Sequence, residues 1–196
     1  MSGRHMLVTG LLAGLVVHAT ASAEGRIGIG LSEDAVALSY TTETRQPEPE
    51  ARTDWLLGGW FTEDNDFIAR TGLMVTRDVD ERLSFGIGAE AYGLFWNRPD
   101  ELGDEGIGAI GPGGRIRYRW PGLAIPVGVE ASGIYAPEIA TIGDADALFR
   151  WSFRVTAEVT RQSFFFVGYQ RLAIDPPRGG QVRFENAPRF GVQLAF

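Results

Sequence analysis

Arginine and glutamate recur at every second position inside otherwise apolar runs, and that spacing limits the chemistry they can do. Within Ile107–Trp120, Arg115, Arg117 and Arg119 alternate against Ile110, Ile116, Tyr118 and Trp120. Within Ala147–Thr160, Arg150, Arg154 and Glu158 alternate against Phe149, Trp151, Phe153 and Val155. Glu90 stands opposite Leu83, Phe85, Ile87, Ala89 and Ala91, Glu130 opposite Val127 and Val129, and Arg70 opposite Phe67, Leu73 and Val75. Charges fixed on one face can pair with neighbours, hold an anion, or act as an acid–base couple of carboxylates. Arginine suits the first two roles, because its planar fork donates to carboxylates in pairs and stays charged. For the third, Glu90 and Glu130 share that face and could form a pair. Cysteine is absent, every one of the 18 basic residues is arginine, and both histidines (His5 and His18) precede residue 24. Among so many arginines the two glutamates read as counter-ions. No catalytic residue is assigned and no enzyme is expected.

Alternation with period two is strand geometry, and it dominates the chain. Candidate strands are Arg26–Leu31, Ala35–Thr41, Trp55–Thr62, Phe67–Arg77, Leu83–Trp96, Ile107–Trp120, Leu123–Tyr135, Ala147–Thr160, Ser163–Ile174 and a last one ending at Phe196. Tight connections (Asp78–Arg82, Trp120-Pro121-Gly122, Arg161-Gln162-Ser163) alternate with long polar ones (Asn97–Gly106, Pro137–Asp146, Asp175–Asn186). Short turns at one end and long loops at the other mark an all-β, up-and-down antiparallel transmembrane β-barrel. The count is about ten strands. Two connections leave an alternative open, eight strands preceded by an N-terminal hairpin: Ser32-Glu33-Asp34 is tight where a long loop belongs, and Glu43–Asp54 is long and proline-rich where a turn belongs.

Alternation alone does not say which face meets water. A soluble barrel hides its apolar face, whereas a membrane barrel shows it to lipid and keeps polar groups inside. The first 23 residues favour the second arrangement. Arg4 and His5 precede an apolar run from Met6 to Val17, and Ala21-Ser22-Ala23 offers a cleavage site, the pattern of a removed secretory signal peptide. Residues 24–196 then form the barrel domain. With Arg4 gone, 17 arginines face 25 acids, which argues against a nucleic-acid partner. Tyr118 and Trp120 beside a tight turn, and Phe95, Trp96 and Tyr135 beside long loops, stand where interfacial aromatic girdles sit. The inner face is then expected to gather Arg70, Glu90, Arg115, Arg117, Arg119, Glu130, Arg150, Arg154 and Glu158, with Arg189 and Gln193 from the last strand. A symmetric Asp78–Arg82 turn would set Arg70 directly across from Glu90. Ion pairing would largely plug a lumen of this size; an excess of arginine would instead suit a narrow, anion-preferring pore.

Several segments resemble the YfaZ-type outer-membrane proteins: "GIGLSEDAVALSY", "IYAPEIATIGDADALFRW", "FVGYQRL" and the terminal "GVQLAF". The resemblance runs over nearly all of residues 24–196. Its most specific piece is Tyr-Ala-Pro followed by Gly-Asp-Ala-Asp, between Tyr135 and Asp146. It implies a barrel in the outer membrane of a Gram-negative bacterium and brings no catalytic motif. It further implies that Phe190, Val192, Leu194 and Phe196 form the signal read by the outer-membrane assembly machinery.

The expectation is therefore a monomeric barrel surrounded by outer-membrane lipid and lipopolysaccharide, with a charged, largely plugged lumen and a structural or surface-interaction role. Its rivals are the porin-like anion pathway and a soluble periplasmic barrel holding an apolar ligand. No cofactor or metal is expected. The acidic loop residues (Asp100, Glu101, Asp104 and Glu105; Asp144 and Asp146; Glu63, Asp64 and Asp66) lack the ordered spacing of a calcium loop. Gly106–Gly114 lacks the lysine and helix of a phosphate loop, and its glycines read as places where strands curve.

Overall fold

The computed structural model describes residues 24–45, 51–96, 106–120, 122–143, 145–177 and 180–196. The region 1–23 expected to be a signal peptide lies outside them, as do Asp100, Glu101, Asp104, Glu105 and Asp144. Large apolar side chains at alternate positions, with small or polar ones between, give long strands: β1 (Glu24–Ser32), β2 (Ala35–Arg45), β3 (Ala51–Thr62), β4 (Phe67–Asp78), β5 (Leu83–Phe95), β6 (Ile107–Trp120) and β7 (Val127–Pro137). A two-residue β8 (Thr141–Ile142) follows, then β9 (Ala147–Thr160), β10 (Ser163–Asp175) and β11 (Val182–Ala195). All except β8 are staves of one closed antiparallel barrel of ten strands: each pairs with the next, β9 follows β7, and β11 pairs with β1. Closure gives every stave a partner on both sides, over part or all of its length.

The eight-strand alternative is overturned, because β1 is hydrogen-bonded to both β2 and β11. The connection that suggested it is short after all. Strands β2 and β3 run on, Arg45 pairing with Arg52, so only residues 46–50 lie outside the described ladder. The strand expected from Leu123 instead begins at Val127. Leu123 and Ile125 stay in the turn, and Pro126, which has no N–H to give a ladder, accepts from the Glu158 amide at 2.9 Å. Glu24, Phe196 and the strand ends flanking the turns after β2, β4, β6 and β9 lie at one end of the barrel, the termini end. The connections after β1, β3, β5, β7 and β10 lie at the other, the loop end.

The expected register between β4 and β5 is off by two residues. Arg70 pairs with Tyr92, and Glu90 with Gly72. The cause is the turn. The Asp80 side chain accepts the backbone amides of Arg82 and Leu83, both at 2.7 Å, while the Val79 amide donates to the Leu83 carbonyl at 2.8 Å. This Asx-type turn shifts the hairpin centre by one residue. Parity is kept, so Arg70 stays on the inner face.

The outer face is apolar around the barrel, with Ile87 67% and Phe190 59% exposed. Tyr118 meets Trp120 edge-on at 4.7 Å near the termini end, and Phe67 packs against Phe61 (4.8 Å) and Phe95 (6.2 Å) near the loop end. Trp96 does not join this girdle. One residue past Phe95, it falls on the opposite face and packs inward against Phe184 at 6.0 Å.

One joint of the ring is incomplete. Strands β6 and β7 pair only from Gly113–Ile134 to Trp120–Val127. Nearer the loop end, β6 takes β8 as its partner, Gly108 with Ile142 and Ala109 with Thr141. Pro112 offers no N–H there, and a Cβ on Gly111 would lie 2.3 Å from the Tyr135 carbonyl oxygen. The chain between β7 and β9 folds back through a 3-10 turn (Glu138–Ala140) to cover the gap.

Candidate functional site

Two layers fill the lumen. The inner layer at mid-height is built of arginine and carboxylate, one side chain from every second position of successive staves. Glu90 of β5 receives Arg150 at 3.3 Å and Arg70 at 3.8 Å, and the Tyr92 hydroxyl donates to it at 2.5 Å. Arg150 also donates to the Ser132 hydroxyl at 3.2 Å, which shares a hydrogen bond with Ser152 at 2.8 Å. Glu130 of β7 takes Arg117 through Nε (3.0 Å) and Nη2 (2.7 Å) on one oxygen and Arg154 at 2.9 Å on the other. Guanidinium groups also lie over aromatic faces, Arg70 and Arg189 over Trp60 at 4.9 and 5.5 Å, where ring quadrupoles attract cations.

Of the nine expected lumen charges, Arg70, Glu90, Arg115, Arg117, Glu130, Arg150 and Arg154 gather in this layer. Arg119 and Glu158 stand apart, lining the wider mouth at the termini end with Glu81, Trp120 and Pro126. Five charged partners were not expected from the sequence. Asp54 is buried, paired with Arg115 at 3.1 Å, near Arg52 at 3.7 Å, and accepts from Thr76 at 3.0 Å. Arg26 pairs with Glu43 at 3.3 Å, and Glu185 is bound by Arg189 and by Gln170 at 2.7 Å. The signal for them was present: the alternation seen at Trp55 and Leu57 continues back through Arg52 and Asp54. In the same way the inward set Arg189, Ala187 and Glu185 continues the last strand.

The second layer, toward the loop end, is apolar. Trp60, Ile68, Leu94, Leu148, Leu172 and Ile174 are each at most 2% exposed. They pack in one cluster with Ile107, Ala136 and Phe184, and with Ala145 from the connection before β9. Inward-facing aliphatic side chains from facing staves meet here as in the core of a soluble protein.

Below this layer lies a cavity of about 120 Å³ lined by Arg70, Arg150, Arg154 and Arg189 among others. A second space of about 190 Å³ follows toward the termini end. The two share Arg26, Arg117, Glu130, Arg154 and Gln193 in their walls. Both spaces lie on the termini side of the apolar layer. Phe190, Val192, Leu194 and Phe196 all point outward from the closing strand. Phe196 exchanges backbone hydrogen bonds with Gly25 at 3.0 and 3.1 Å and stacks on Tyr40 at 6.4 Å.

No protein-family model matches the chain, and no curated protein sequence matches it. Solved structures that resemble the chain include three outer-membrane proteins. One is the NanC porin (TM-score 0.47, 12% identity, covering 88% of this chain and 98% of that one). The others are a bacterial polysaccharide outer-membrane secretin (TM-score 0.44, 9% identity, covering 83% and 56%) and the outer-membrane channel DcaP of Acinetobacter baumannii (TM-score 0.42, 11% identity, covering 85% and 54%). The chain spans about half the length of the last two. All three TM-scores are below 0.5, and the likenesses carry no argument about this chain.

Proposed function

We propose that this chain is a small, monomeric outer-membrane β-barrel of a Gram-negative bacterium that does not conduct, with a structural or surface-interaction role. The observation that carries the reading is the apolar layer. A continuous water path would leave its side chains wetted, yet six of them, from five staves, are at most 2% exposed. A layer of this kind also disfavours ions, which would have to shed water with nothing to replace it.

The membrane setting rests on the outer face. In water, its ring of isoleucine, leucine and phenylalanine would be an apolar patch far larger than soluble monomers carry. In lipid it is solvated by acyl chains, while the closed ladder satisfies the backbone. Outer-membrane phospholipid and lipopolysaccharide are the surroundings this face fits. The longest connections, after β5 and β7, leave from the loop end, which supports reading the termini end as periplasmic. The outward set Phe190, Val192, Leu194 and Phe196 is then available to the assembly machinery before closure, in keeping with the YfaZ-type resemblance. Catalysis forms no part of this reading.

Single-channel recording in planar bilayers tests it. Purified protein that migrates as a heat-modifiable band in SDS gels, and so is folded, should give no conductance steps. Steady anion-selective steps would instead establish the narrow-pore reading.

A further inference from the structure

We infer that the vestibule beneath the apolar layer binds a small multivalent oxyanion of the phosphate or sulfate class, taken from the aqueous phase at the termini end. The inference rests on the proposed membrane barrel with a blind lumen, and charge is its first support. Arg70 and Arg150 share the single carboxylate of Glu90, and Arg117 and Arg154 share that of Glu130. Each trio carries one positive charge more than it neutralises. Uncompensated charge within a low-dielectric wall is costly unless a counter-ion joins it.

Geometry is the second support. The buried Nε atoms of Arg70, Arg150, Arg154 and Arg189 have no hydrogen-bond acceptor. The Arg150 side chain is only 5% exposed, so bulk water does not serve it. All four side chains line the same cavity of about 120 Å³, well above the roughly 15 Å³ that one water needs. An oxyanion with several acceptor oxygens can take donors arriving from β4, β9 and β11 together, which a halide satisfies poorly. The apolar layer ends the path, so a long acidic polymer cannot thread through. Because the chain as a whole is acidic, with a formal charge of −7, the attraction is local to the lumen rather than a property of the surface.

Isothermal titration of the detergent-folded barrel with inorganic phosphate at neutral pH tests this, with chloride as the control. Saturable one-site binding of phosphate, without a matching chloride signal, is expected. Arg154→Gln leaves Glu130 paired with Arg117 and should weaken phosphate about tenfold, the worth of one charge-assisted hydrogen bond. Glu43→Gln frees Arg26 at the cavity wall and should tighten binding about threefold. Heat-modifiable migration shows that each variant is folded. A second arm presents the same phosphate chemistry on vesicles of phosphatidic acid. Binding there alone would overturn a free oxyanion as the ligand. Absence of saturation, or equal affinity in wild type and both variants, would overturn the site. A barrel that conducts and still binds phosphate would sink the non-conducting reading and leave this one standing. A silent barrel that ignores phosphate would do the reverse.

Discussion

The two layers of the lumen fill neighbouring cross-sections of one barrel by opposite means. Toward the loop end Trp60, Leu94, Leu148 and Leu172 interlock by shape. At mid-height Glu90 and Glu130 are held by arginines that outnumber them. The apolar layer depends on volume, since any lost methylene leaves a void. The charged layer depends on stoichiometry, since a missing partner strands a charge. Packing by volume and packing by charge are thereby separated along the barrel axis, and each can be damaged without the other.

The sharpest way to break the comparison is to remove the shared carboxylate. Glu90→Ala strands Arg70 and Arg150 and leaves the Tyr92 hydroxyl without its acceptor, and should cost about 3–5 kcal/mol. Urea unfolding in lipid vesicles measures it. Glu90→Gln, which keeps shape and loses charge, should lose most of the same amount; a cost below about 1 kcal/mol would mean that this layer too is held by packing. Next in size is Leu172→Ala, which opens a cavity in the seal and should cost about 2–4 kcal/mol. The same titration, together with brief conductance events in bilayers, would locate the seal at that height. The smallest effect lies outside both layers. Two backbone N–H groups, from Leu83 and Arg82, hold the exposed Asp80 carboxyl below the usual aspartate range. A carboxyl depressed in the folded state stabilises above its unfolded value and loses that contribution as pH falls through the lowered one. The stability difference between wild type and Asp80→Ala should therefore be full above about pH 4 and shrink below it. Phosphate binding should be unaffected by this change.

The charged layer was largely legible in the residues, because a lone Arg or Glu amid alternating Val, Ile and Phe declares its face. The apolar layer was not. Within Ser163–Asp175 both faces carry large apolar groups: Phe164, Phe166, Leu172 and Ile174 turn inward while Phe165 and Val167 turn outward. Hydrophobicity does not distinguish a side chain that faces lipid from one that faces other side chains across a lumen. Trp96 was misplaced for that reason. Asp54 and Glu185 were hidden differently, by the polar and proline-rich residues beside them, which read as loop although the strands continue. The two-residue slip of Arg70 came from turn chemistry. The Asp80 acceptor, rather than symmetry, decides where that hairpin is centred.

The pairing of β1 with β11 has a consequence of its own in the order of events. Every other joint of the ring unites strands close in the chain, but this one joins Ile27 to Leu194 and Ile29 to Val192. Loop closure grows only slowly with length, each doubling adding about 0.6 kcal/mol, so the long joint is affordable at equilibrium. In time it is different. Distant contacts are the slow ones, and β1 has no second partner on this side until β11 is in place. A chain without β11 presents two bare edges instead of none, which makes the arrival of β11 beside β1, rather than gradual accretion of hairpins, the event that commits the barrel to its shape.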